Sequence, residues 1–144
     1  MTLAQVLITL FGIHADAATL STLEDAVHTH DADLATVVAL AVKESQVGTV
    51  RIRHLLCGVQ MYEVCAPDST ERRRRRGLCV VRDYAAQANY TARTIGRVRR
   101  IPALRSYLTS WVCGPDPVCR AGHGAAYAEQ VLGYRAAIRR ALSQ

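Results

Sequence analysis

Between Asp33 and Ser45 the chain runs Leu-Ala-Thr-Val-Val-Ala-Leu-Ala-Val-Lys-Glu, and the spacing of its apolar residues predicts a helix. Leu34, Val37, Val38 and Ala41 recur at i, i+3, i+4 and i+7, so they share one buried face. Asp31 or Asp33 supplies the N-cap and Gly48 the stop. Glu44 falls three residues after Ala41 and seven after Val37, which continues the same stripe. A carboxylate on a buried face is expensive, because burial disfavours its ionised form. Such a Glu either keeps its proton near neutral pH and can act as a general acid, or escapes to solvent from the frayed helix end. The helix alone leaves both readings open.

The rest of the chain reads as mainly α, a single domain over residues 1–144, which is about the length of one domain. Leu3 to Ile13 is apolar, and Leu3, Val6, Leu7, Leu10 and Phe11 keep helical spacing. Ala15-Asp16-Ala17 has the small-x-small form of a signal-peptidase site, although no basic stretch precedes it. Residues 1–17 are therefore read as a first helix, with a cleaved leader as the alternative. The apolar segment is too short to cross a bilayer, which takes about 20 residues, so no transmembrane segment is expected. From Thr19 to Val27, Leu20, Leu23 and Val27 share a face, with Ser21 or Thr22 near the start. Residues 46–80 show no sustained period and are read as a long irregular loop, or a small hairpin region around residues 47–52. Helical spacing returns over 82–99, with Tyr84, Ala88, Ile95 and Val98 inward. Pro102 opens another helix with the stripe Leu104, Tyr107, Leu108 and Trp111. A last helix from about Ala125 to Leu142 buries Tyr127, Val131, Tyr134 and Ile138, and leaves Arg135, Arg139 and Arg140 outside.

Charge and cysteines narrow the setting. The net charge is +6, and Lys43 is the only lysine. Arg72, Arg73, Arg74, Arg75 and Arg76 form an unbroken run after Glu71. Like charges at that density repel, so the run is a solvated loop or a grip for an anionic envelope polymer. No aromatic residue interleaves it, which disfavours nucleic acid. The five cysteines contain no Cys-x-x-Cys pair and the histidines are scattered, so neither a metal nor a cofactor is expected. Cys113 and Cys119 bracket a Pro-Asp-Pro turn, Cys65 and Cys79 bracket the arginine run, and Cys57 is left over. Two disulfides of that pattern place the protein in an oxidising compartment, and five reduced thiols are the alternative.

Four segments taken together carry a resemblance. Glu44-Ser45 ends a helix. Leu55-Leu56-Cys57-Gly58-Val59-Gln60-Met61 follows, then Ser110-Trp111-Val112-Cys113-Gly114-Pro115, and last the run from Tyr127 through Val131 and Leu132 to Tyr134. In order and spacing, over residues 29–142, these resemble the lytic transglycosylase and goose-type lysozyme superfamily. The resemblance implies a lysozyme-like helical domain that cleaves the β-1,4 bond between N-acetylmuramic acid and N-acetylglucosamine in peptidoglycan. Glu44 matches the catalytic acid. Ser45 matches the hydroxyl beside it, Gly58 and Gln60 the turn that floors the sugar groove, Trp111 an aromatic that stacks on sugar, and Tyr127 an aromatic whose hydroxyl orients the acid. The chain departs from the family by reading Gly58-Val59-Gln60-Met61 where it has Gly-Leu-Met-Gln, and by carrying Val112 where it has Asn.

Most glycosidases use two carboxylates, but Glu63 and Asp68 match no family position. One acid without a partner favours a transglycosylase, which works with a single Glu. Localisation is then extracytoplasmic, secreted or periplasmic, or virion-associated. Two other functions stay open: a catalytically inactive lysozyme-like module that binds wall or assembles, and an arginine-rich nucleic-acid binder.

Overall fold

A computed structural model describes residues 1–47, 62–64, 78–80 and 84–144. The fold is mainly α. Its helices are α1 (Leu3–Phe11), α2 (Ala17–Thr29), α3 (Leu34–Ser45), α4 (Tyr84–Thr94), α5 (Ile101–Cys113), the short α6 (Pro117–Cys119) and α7 (Ala125–Leu142). A 3-10 turn over Ile95–Arg97 extends α4, and a π-helical turn over Arg120–Gly124 leads into α7. Strands β1 (Tyr62–Val64) and β2 (Leu78–Val80) pair antiparallel, with Tyr62 opposite Val80. The hairpin expected at 47–52 lies, apart from Val47, outside the described residues. Among the described residues no helix is long and apolar enough to cross a membrane.

Local chemistry sets the helix ends. Thr2 and Gln5 close a capping box on α1: the Gln5 N–H donates to Thr2 Oγ1 and the Thr2 N–H to Gln5 Oε1. Gly12 ends α1 in the left-handed region, where it carries no Cβ penalty. Helix α2 begins earlier than its apolar spacing predicts. Asp16 accepts from the Thr19 N–H at 2.7 Å and caps it, so the residue that looked like part of a cleavage site is an N-cap. Asp33, not Asp31, caps α3. The stop of α3 is not Gly48. Gln46 and Val47 both turn left-handed, at φ 49° and 60°, and their N–H groups return to the carbonyls of Val42 and Ala41. Positive φ is costly for a β-branched residue, and the complete burial of Val47 holds it there.

Helix α3 is more central than an amphipathic stripe implies. Residues Ala35 to Val42 are all buried, as in a helix surrounded by others. Helices α2 and α7, together with the 3-10 turn, pack against it. Helix α1 joins the same core through Leu3, Val6 and Leu7. Gly96 lets the 3-10 turn come close: a Cβ there would stand 2.8 Å from Ala32 Cβ and 2.9 Å from Val37 Cγ2.

Two residues of α7 depart from expectation. Tyr134 is half-buried, not core, and stacks edge-on against Phe11 with centroids 5.1 Å apart. Arg135 points inward and is only 6% exposed. It stands four residues after Val131 and three before Ile138, so the inward stripe of α7 runs straight through it. Its Nε donates to Asp33 Oδ2 at 2.9 Å and to Thr36 Oγ1 at 2.8 Å, while the Thr36 hydroxyl donates to Asp33 at 2.5 Å. Burial alone would push the Asp33 carboxyl up, but the Thr36 hydroxyl and the Arg135 guanidinium outweigh it and hold it below the usual range.

The predicted Cys113–Cys119 disulfide is present, with Cα atoms 5.5 Å apart. It ties the end of α5 to the start of the π-helical turn. Asp116 caps the segment between by accepting from the N–H groups of Val118 and Cys119. Cys57 and Cys65 lie outside the described residues, and Cys79 lies on β2.

Asp33→Asn keeps a good N-cap but strands the buried Arg135 charge, so it should cost about 3 kcal/mol in a denaturant titration near neutral pH. The loss should shrink as pH falls through the depressed Asp33 pKa, because the parent then loses the same ion pair. Pairing it with Arg135→Met should recover most of the loss, since apolar replacement of a buried pair is often neutral. Gly124→Ala tests a second contact. Its Cβ would lie 2.6 Å from Cys113 Sγ and 3.0 Å from Thr109 Cγ2, so overpacking of about 1–3 kcal/mol should outweigh any gain in helix propensity.

Candidate active site

Glu44 occupies the last turn of α3 and is half-buried. The Tyr127 hydroxyl, from the first turn of α7, donates to its Oε1 in a short hydrogen bond. Tyr127 itself is only 6% exposed. Its position follows from the packing beneath it. Gly124 sits against the Cys113 sulfur and Thr109, which fixes where α7 leaves α5, and Tyr127 comes one turn later.

Burial pushes the Glu44 carboxyl above its ordinary value; the Tyr127 hydrogen bond and the Lys43 charge pull the other way without cancelling it. Burial and the neighbouring Glu44 push the Tyr127 hydroxyl far above the usual phenol range, so Tyr127 keeps its proton and serves as the donor. Lys43 Nζ lies 5.7 Å from the centroid of the Tyr127 ring, within cation–π range. The result is a carboxyl with a raised proton affinity, oriented by a neutral phenol, with the Lys43 ammonium beside the phenol ring.

The other site residues are placed differently. Ser45 is buried beside the acid, and its hydroxyl donates back to the Ala41 carbonyl at 3.4 Å. Trp111 is half-buried on α5 and tilts against Tyr90, with centroids 6.5 Å apart. Together with Thr94, Ser106, Tyr107 and Ser110 these two rings line a cavity of about 550 Å³ between α4 and α5, a volume typical of ligand sites. Tyr107, read from the sequence as core, is 45% exposed and belongs to this wall. The structure thus brings Glu44 to Tyr127 and gathers Trp111 with two tyrosines. Gly58, Gln60 and Arg72 to Arg76 lie outside the described residues. Among the described residues no group of three or more His, Cys, Asp or Glu could hold a metal ion.

Sequence reasoning missed Lys43, Tyr90 and Tyr107. Lys43 carried a signal, as the only lysine and the neighbour of the acid. Tyr107 lies four residues before Trp111 and so shares its helix face, but spacing does not say whether that face meets core or solvent. Set against family models, curated proteins and solved structures, the chain matches none.

The raised Glu44 pKa makes a stability prediction. The protonated carboxyl contributes stability that is fully present below the unfolded-state pKa and is lost as pH rises through the higher folded-state pKa. Glu44→Gln removes that titration. The variant should match the parent in acid and exceed it in thermal melts at higher pH, with the gap opening through this window. A parent more stable at alkaline pH than in acid, by way of this residue, would contradict the buried-carboxyl account.

Proposed function

We propose that this chain cleaves the β-1,4 glycosidic bond of peptidoglycan as a lytic transglycosylase or muramidase, with Glu44 as its single general acid and base. The observation that carries this reading is the Glu44–Tyr127 pair: a carboxyl of raised proton affinity at the end of a buried helix, oriented by a phenol from the last helix. The likeness of four sequence segments to that superfamily supports it, and Glu44 and Tyr127 are the acid and orienting hydroxyl which that likeness implies. Fold and localisation follow the same reading: a lysozyme-like domain working outside the cytoplasm or on a virion.

An alkoxide is a poor leaving group, so the bond breaks only if the glycosidic oxygen receives a proton as the carbon–oxygen bond lengthens. Glu44 supplies it. With Oε1 occupied by Tyr127, Oε2 is the oxygen left to carry the transferable proton. The departing sugar leaves an oxocarbenium-like ring on the muramoyl side. The Glu44 carboxylate then takes the proton of the muramoyl 6-hydroxyl as that oxygen attacks C1. This closes a 1,6-anhydro ring and restores the acid, with no water consumed. Aromatic faces at Trp111 and Tyr107 offer stacking for sugar rings, and the Ser106, Ser110 and Thr94 hydroxyls offer hydrogen bonds. The Arg72 to Arg76 run is the proposed contact with anionic envelope polymers.

Purified murein gives the test. The parent should release muropeptides, and mass spectrometry of anhydro-muramoyl ends separates transglycosylation from hydrolysis. Glu44→Gln should lower the rate by at least about 100-fold, the scale of a general acid's contribution, with the helical circular dichroism unchanged. An active Glu44→Gln would remove Glu44 from the mechanism. An inactive but wall-binding parent would instead establish the non-catalytic module.

A further inference from the structure

We propose that Lys43 is a positioning residue for the acid of this site: its ammonium, held against the Tyr127 ring, sets the alkaline limit up to which Glu44 keeps the proton it donates. The inference rests on Glu44 acting as the acid. Three groups form a continuous chain: the Glu44 carboxyl accepts from the Tyr127 hydroxyl, and the Tyr127 ring carries the Lys43 ammonium 5.7 Å from its centroid. One tyrosine therefore meets a carboxyl at its hydroxyl and a cation at its ring face, from adjacent residues of one helix turn.

Among the described residues two titratable groups act directly on Glu44: the Lys43 ammonium from α3 itself and the neutral Tyr127 hydroxyl from α7. The other charges between these helices, Asp33 and Arg135, are closed on each other at the far end of α3. The remaining neighbours, α2, α4 and the 3-10 turn, bury apolar residues such as Leu23, Ala88 and Ile95 in the shared core. Among the described residues Lys43 is thus the cation with direct influence on the acid.

The choice of lysine in an arginine-dominated chain is informative. Of 18 basic residues, Lys43 is the only lysine. An arginine fork can bind a carboxylate bidentately and hold it ionised, which would disable a general acid. An ammonium is a point charge that can rest on a ring face and act on the carboxyl more gently. Lys43 then lowers the proton affinity that burial has raised, in the same direction as the Tyr127 hydrogen bond.

The experiment compares the parent with Lys43→Met, Lys43→Gln and Lys43→Arg in the full chain. Murein cleavage is followed from about pH 4 to 9, and Glu44 is titrated directly by carbon-13 NMR of its carboxyl. In the Met and Gln variants the alkaline limb of the rate and the NMR midpoint should both move up, by about half a pH unit or more. In the arginine variant both should move down. A merely structural lysine would change rates without moving either midpoint, and Glu44 midpoints that coincide in all four proteins would overturn the proposal. A parent that cleaves no murein would defeat the proposed function, whereas the NMR titration would still decide the role of Lys43.

Discussion

Helices α3 and α7 run antiparallel and are fastened at both ends, and the rest of the molecule is arranged around that fastening. The start of α3 holds Asp33 and its end holds Glu44, while α7 presents Tyr127 first and Arg135 two turns later. At 1.5 Å per residue the two carboxyls stand roughly 16 Å apart along α3, and their partners roughly 12 Å apart along α7. The long arginine side chain covers the difference. Between the two ties lies an entirely apolar contact in which Val37, Leu40 and Ala41 of α3, and Val131 and Ala128 of α7, are fully buried. Apolar packing alone would let such helices slide by a turn. Two polar ties at fixed separation specify the register, the best-attested use of buried polar groups.

The same arrangement drives the two carboxyls in opposite directions. Asp33 has a cation and a hydroxyl donor, and it stays ionised despite burial. Glu44 has a neutral phenol and a cation that rests mainly on the phenol ring, so burial prevails and its proton affinity is raised. One helix therefore carries a carboxyl whose pKa is lowered and one whose pKa is raised, distinguished by the type of partner that α7 offers to each. Pairs of carboxyls whose environments separate their proton affinities are the pattern from which acid and base roles are assigned.

Several of these features were legible in the residues and others were not. Regular spacing located α3, α5 and α7, because apolar residues at helical intervals need no tertiary information. The Cys113–Cys119 pairing was legible because a Pro-Asp-Pro turn brings nearby residues back on themselves. Arg135 was misplaced, since charge argues for solvent and only the partner 102 positions earlier in the chain reverses that argument. The α3 stop was misassigned to Gly48, because glycine is the usual left-handed residue and nothing local announces that Gln46 and Val47 adopt that conformation. Asp16 resembled a cleavage-site residue, although a short acidic side chain ahead of a helical run is equally an N-cap. Glu44 was legible as an anomaly on an apolar stripe, whereas its partner Tyr127, 83 residues away, was placed beside it by family likeness and not by spacing.

The location of Glu44 at a helix end, and not one turn earlier, is what makes the anomaly usable. At Val37 or Leu40 a carboxyl would be fully enclosed, could exchange no proton and would simply destabilise the core. At the last turn the helical ladder ends, with Gln46 and Val47 both left-handed and Val47 buried as an apolar plug. Glu44 is thereby half-buried, desolvated enough to raise its proton affinity and still in reach of solvent. The carbonyl end of the helix also disfavours negative charge, and Lys43 is the basic residue of that last turn. Burial and the helix end thus favour the proton, while Tyr127 and Lys43 limit how strongly it is held. A group whose proton affinity is raised and then checked by two named neighbours meets the physical requirement for giving a proton and taking it back within one reaction.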